Sequence, residues 1–179
     1  MAASASAKLL LHPVRLRVVQ ALLGDRRLTT TGLGEHLPDV SPATLYRHVA
    51  RLVEAGVLEV VEEQRVRGAV ERTYGLRVSA AQVPADELAA MSPEDHRQAF
   101  WAFAAGLLAD FDRYLERGEI DLLRDGVGYR QTALWLSDDE FDGLVDDLRG
   151  VLERRAALRP APGRVRRSVA TVLMPADGS

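Results

Sequence analysis

The stretch SPATLYRHVARLVEAGVL, residues 41–58, constrains this chain more than any other. Ser41 can accept a hydrogen bond from an orphan N–H of a helix's first turn, and Pro42 stands where a helix tolerates a missing N–H. Leu45, Val49, Leu52 and Val53 recur at i, i+4, i+7 and i+8, one face of a 3.6-residue period. Ala43, Thr44, Arg47, Ala50 and Arg51 fall on the opposite side, and Tyr46 and His48 flank the stripe. Gly56 follows where a helix commonly stops in a left-handed conformation. The reading is a short helix over residues 41–55 with one buried face and an outer face of small, hydroxyl and guanidinium side chains. Such a face suits a DNA major groove, because small residues allow close approach and arginine forks onto guanine O6 and N7. An ordinary amphipathic helix with a solvated charged face is the competing reading.

The flanks favour the groove. Residues 12–23 read as a first helix, with Val14, Leu16, Val18, Val19, Leu22 and Leu23 as apolar positions, Pro13 in the first turn and Gly24 at the stop. Leu28 begins a short extended stretch. Thr29 to Thr31 offer caps for a second helix ending near Leu37, whose Gly32 and Gly34 make it dependent on tertiary packing. Two short helices joined by a tight turn, the second with a polar outer face, form a helix-turn-helix. After Gly56 the pattern changes to strands. Val57, Leu58, Val60 and Val61 precede the polar stretch 62–69, with Gly68 as turn residue, and Val70, Arg72, Tyr74 and Leu76 then alternate with Glu71, Thr73 and Gly75. This hairpin reads as a wing, residues 62–72, whose Arg65, Arg67 and Arg72 can reach phosphates or a minor groove. A solvated edge that blocks strand pairing is the alternative for these arginines.

Taken in order, HPVRLRVVQALL, LTTTGLGEHL, SPATLYRHVARLVEAGVLEVVEE and RGAVERTYGL resemble the winged-helix repressors of the ArsR-like group. RHVARLVEAGVL is similar to that group's R-H-L-x-x-L-x-x-A-G-L-V pattern. ATLYRHVARL and RTYGL also resemble the PadR-like group, where a T-L-Y-x-x-L run opens the recognition helix. The resemblance covers residues 9–80. It implies a dimeric transcriptional regulator, a repressor, on a palindromic operator of double-stranded DNA. By position it carries base reading to Ala43, Thr44, Tyr46, Arg47 and Arg51, with Ser41 at the helix start, and backbone contacts to Arg65, Arg67 and Arg72. The metal-sensing members use cysteines, or clusters of histidine and carboxylate. This chain has no cysteine and four dispersed histidines, so neither metal sensing nor a cofactor is expected.

Residues 1–8 read as a disordered start, and 78–91 as a linker with a short helical turn. Ser92-Pro93-Glu94-Asp95 opens a helix over 92–117, with Phe100, Phe103, Ala104, Leu107, Leu108, Phe111 and Leu115 along a stripe and Trp101 and Tyr114 off it. Apolar on more than one side, it suits contact with a partner subunit, with burial inside one chain as the competing reading. Residues 124–136 and 164–174 alternate as strands do, around a helix opened by the capping box Ser137-Asp138-Asp139-Glu140. The expected architecture is therefore α+β, mainly α: a winged helix-turn-helix domain over 9–80, then a dimerisation and regulatory region over 81–179. That region holds the interaction helix and a small β-α-β tail over 124–174. Trp101, Tyr114, Tyr129 and Trp135 are candidates to line an apolar effector pocket, with core packing as the competing account.

Composition narrows the function classes. Residues 1–80 carry 11 Lys+Arg against 8 Asp+Glu, whereas 81–179 carry 12 against 18, the balance of a nucleic-acid module on an acidic body. No run of ~18 apolar residues suits a membrane span, and the first 15 residues make a poor secretory signal, so a cytoplasmic protein is expected. In SDDEFDGLVDD the acids fall near calcium-loop spacing, but Arg149 stands where a bidentate glutamate is required. Phosphate-loop and nucleophile motifs are absent, so an enzyme is not expected. The alternative function is a winged helix used for protein or small-molecule contacts.

Overall fold

A computed structural model describes residues 7–66 and 68–176, and Arg67 therefore lies outside the described residues. The elements run α1 (Ala7–Leu10), α2 (Pro13–Leu22), β1 (Leu28–Thr29), α3 (Thr30–His36), α4 (Pro42–Glu54), β2 (Leu58–Val66) and β3 (Ala69–Leu76). A 3-10 turn (Val78–Ala80), α5 (Ala85–Ala89), α6 (Pro93–Leu115) and α7 (Asp138–Ala156) follow. The architecture is α+β and mainly helical, a winged helix-turn-helix with a three-stranded antiparallel sheet. The chain divides into two units, Met1–Ile120 and Asp121–Ser179.

In the first unit α2, α3 and α4 bury Leu22, Leu33, Leu45, Val49 and Leu52 against one another, together with Val57, Leu58 and Tyr74 from the sheet. Each such side chain contributes roughly 1.5–3 kcal/mol on leaving water. Local chemistry sets the ends. Thr29 accepts from the Gly32 N–H at 3.1 Å and starts α3, whose glycines are offset by burial of Leu33 and Leu37. Ser41 accepts from the Thr44 N–H at 3.4 Å, with Pro42 in the first turn of α4. At the other end the Gly56 N–H reaches the Val53 carbonyl and the Val57 N–H reaches the Leu52 carbonyl, both at 2.9 Å. This double closure requires a left-handed residue, supplied by Gly56 at φ 71°.

The sheet order is β1-β3-β2. The two-residue β1, read from the sequence only as an extended stretch, pairs Leu28 with Tyr74 and Thr29 with Thr73. In the hairpin Leu58 pairs with Leu76 and Val60 with Tyr74, and then an irregularity between Val60 and Glu62 shifts the register. Beyond it Glu63 opposes Arg72 and Arg65 opposes Val70. Paired residues share a face, so one extra residue turns Glu63 and Arg65, instead of Glu62 and Gln64, toward the side that carries Val60 and Tyr74.

α6 also belongs to this unit, which thus extends past residue 80. A capping box of Ser92 and Asp95 opens the helix. Ala102 and Gly106 are buried where it packs on α2. Gln20 Nε2 donates to the Phe103 carbonyl at 3.4 Å, and Arg113 Nη1 donates to the His36 carbonyl at 3.3 Å. Phe100, Trp101, Leu108 and Leu115 remain exposed on other faces of the helix.

Three expectations are corrected. Ala7 and Lys8, expected in a disordered start, form α1, because the buried Arg15 side chain bonds the carbonyls of Lys8 and Leu9 at its end. Residues 124–136 and 164–174, expected as strands, form none among the described residues. An alternating segment becomes a strand only where an edge is available to bond its backbone, and the second unit contains one helix, α7, and no sheet among its described residues. The β-α-β tail is thus α7 between segments without regular secondary structure. No described residue of this unit is buried.

Candidate nucleic-acid interface

Successive residues of an α-helix turn by about 100°, so the outer surface of α4 divides into two flanks. Arg47 and Arg51, with Thr44, lie on one. Tyr46, Ala50, Val53 and Glu54 lie on the other and line a groove of about 590 Å³ toward Val60, Val70, Arg72 and Tyr74 of the wing. Ala43, near the middle, is exposed.

The first flank is basic. Arg47 and Arg51 are exposed, and among the described residues neither forms an ion pair. Beneath them is a cluster the sequence reading did not identify. His48 is only 5% exposed, on the buried face of α4, and its Nδ1 lies 3.3 Å from Nη1 of Arg15, itself 5% exposed. The Arg15 guanidinium also donates to the Lys8 carbonyl at 2.8 Å. The His12 ring, whose Nδ1 accepts from the Val14 N–H and caps α2, sits 4.5 Å from the His48 ring. Arginine has no acceptor, so the contact requires His48 neutral with Nδ1 unprotonated. Burial, reinforced by His12, Arg15, Arg47 and Arg51, pushes His48 down to about 4. Burial and then Arg15 and Arg51 lower His12 as well. The other side chains acting on either ring are positive, so this flank presents uncompensated positive charge to solvent. The sequence did hold the signal. His48 stands three residues after Leu45 and four before Leu52, which is core spacing.

The second flank is different. Tyr46, Val60 and Val70 are exposed apolar surface. Arg72, expected to touch a DNA backbone, is bonded by its Nε to Glu63 at 2.8 Å. Arg77 is likewise bonded to Glu59 at 3.0 Å. Arg65 is exposed and forms no ion pair among the described residues. The Ser41 hydroxyl donates to Thr44 Oγ1 at 3.0 Å, so both hydroxyls serve the cap. The structure thus brings Ser41, Ala43, Thr44, Tyr46, Arg47 and Arg51 onto one exposed surface and places Arg65 and Arg72 on one face of the adjoining wing.

The four aromatic candidates are not gathered in one place. Trp101 and Tyr114 are on α6, where Tyr114 stacks on Phe111 and carries the Arg117 guanidinium 5.6 Å from its ring centre. Tyr129 and Trp135 belong to the second unit and are exposed, Trp135 by 90%. None of the four lines the groove beside α4. Among the described residues no cluster of histidine and carboxylate suits a metal ion, and no helix is long and apolar enough to cross a membrane. No curated protein matches the chain. Residues 10–61, which contain α2, α3 and α4 whole, match the family described as a helix-turn-helix domain.

Proposed function

We propose that this protein is a sequence-specific DNA-binding transcriptional regulator, a repressor acting as a homodimer on a palindromic operator. The observation that carries the reading is the basic flank of α4, where Arg47 and Arg51 stand exposed and without acidic partners on the outer face of the second helix of a helix-turn-helix. α4 enters the major groove, Arg47 reads a base edge, and Arg51 meets the groove wall or a phosphate. Arg65 approaches the backbone, whereas Arg72 must first leave Glu63. The ArsR-like and PadR-like likeness of the motifs supports the regulator class. The exposed Trp101, Leu108 and Leu115, seven residues apart on α6, support pairing of two copies through that helix. A two-fold protein then matches half-sites about one helical turn apart.

The test is a salt titration of binding, by fluorescence anisotropy, to a duplex selected from a random pool and to its scrambled counterpart. Arg47→Ala is expected to cost ~1–3 kcal/mol on the selected duplex and little on the scrambled one. Arg65→Ala weakens both alike and lowers the salt slope by about one unit. Unchanged affinity of a folded Arg47→Ala protein refutes the recognition-helix role and favours a winged helix used for protein contacts.

A further inference from the structure

We infer that α7 is a second contact between copies of this chain, in which two α7 helices pair antiparallel about a two-fold axis near Leu148. The inference rests on the homodimer reading and adds an interface separate from α6.

Three observations carry it. The first is a stripe that is only half-buried at Leu144, Val145 and Leu148 and exposed at its other positions. Phe141, Leu144, Val145, Leu148, Val151 and Leu152 follow the three-and-four spacing of a helix that buries one side, yet no residue of α7 is buried. Phe141, Val151 and Leu152 are each at least 40% exposed. In proteins most helical stability comes from packing of the apolar face against another element. The second is the poverty of the unit around it, where Leu123 is 93% exposed and Trp135 90%. Among its described residues nothing forms a core that takes up the stripe. The third observation selects the partner. Asp138, Asp139, Glu140, Asp142, Asp146 and Asp147 occupy the first half of α7 with no basic residue among them. Arg149, Arg154 and Arg155 occupy the second half with one acid, Glu153.

This gradient complements the dipole of a single helix, but the dipole does not cover the exposed part of the apolar stripe. An antiparallel second copy covers it and sets the acidic half of each helix against the basic half of the other, twice over. A parallel copy sets six carboxylates against six. Asp142 and Arg149 flank the stripe on one side, and Glu140 and Arg154 on the other, so each flank carries both signs and meets the same flank of the partner in an antiparallel pair. Arg154 and Arg155 form no ion pair among the described residues, while Arg149 is bonded only to Asp146, one turn away.

The full-length chain tests this in two arms. In sedimentation equilibrium, Glu140→Arg with Asp142→Arg, and separately Arg149→Glu with Arg154→Glu, are each expected to weaken self-association at least tenfold. An equimolar mixture of the two variants recovers association. Circular dichroism checks that α7 still forms. Dimers of both variants at wild-type strength overturn the inference while leaving the homodimer reading intact, and a wild-type monomer overturns both. The second arm reads direction. The chain has no cysteine, so Ser137→Cys carries a single spin label. Pairing centred at Leu148 places the two labelled sites about 33 Å apart along the axis, from a rise of 1.5 Å per residue. A distance below about 20 Å means parallel pairing and overturns the antiparallel assignment.

Discussion

The buried histidine of α4 predicts how stability depends on pH. His48 is neutral in the fold because burial and four neighbouring cationic or imidazole groups oppose a second proton, and its pKa falls from 6.5 to about 4. The unfolded chain keeps the ordinary value. Between these two values the unfolded state binds a proton that the fold refuses, so stability is complete above about pH 6.5 and is lost as pH falls toward 4. At pH 5 the unfolded imidazole is nearly all protonated, while the folded one is about nine-tenths neutral, a difference of about 2 kcal/mol relative to pH 7.5. His12 and His36 are lowered as well, each chiefly by burial, and shift stability in the same direction. Asp39, held below the usual carboxylate range by its bond to Arg17, titrates beneath this window. The assay is urea unfolding followed by circular dichroism at pH 7.5 and pH 5, at one protein concentration. His48→Gln, whose carbonyl can still accept from Arg15, is the comparison. Wild type is expected to lose at least about 2 kcal/mol between the two conditions, and His48→Gln correspondingly less. Equal stability of wild type at both pH values, or the same loss in His48→Gln, would refute the neutral buried imidazole.

Two backbone positions give further tests. A Cβ at Gly106 meets the Gln20 side chain at 2.0 Å, but what it meets is the flexible end of that side chain. Gly106→Ala is therefore expected within about 1 kcal/mol of wild type, with helix propensity offsetting the displaced contact, whereas Gly106→Leu forces α6 off α2 and costs roughly 1–3 kcal/mol of stability, read by urea unfolding. Gly56→Ala, at φ 71°, is expected to lower thermal stability by roughly 1–2 kcal/mol, and an unchanged melting temperature would contradict the left-handed closure of α4.

What could be read from the linear chain was whatever depends on neighbours three or four residues apart. Ser41, Pro42, the Leu45–Val49–Leu52 spacing and Gly56 specify α4 with its ends, and Thr29 and Ser92 specify the starts of α3 and α6, because caps and helical periodicity are local interactions. The hairpin was legible from Gly68 and the alternation of β3. Its register was not, since a bulge is decided by how two strands meet, and this one turns Arg65 toward the α4 side of the wing. The Arg15–His48 contact and the docking of α6 on α2 join residues separated by 33 to 83 positions, beyond any local pattern. The tail marks the opposite limit. Alternation in 124–136 and 164–174 states which face a strand would bury, but a strand exists only where another backbone offers hydrogen bonds, and tertiary structure decides whether that backbone is present.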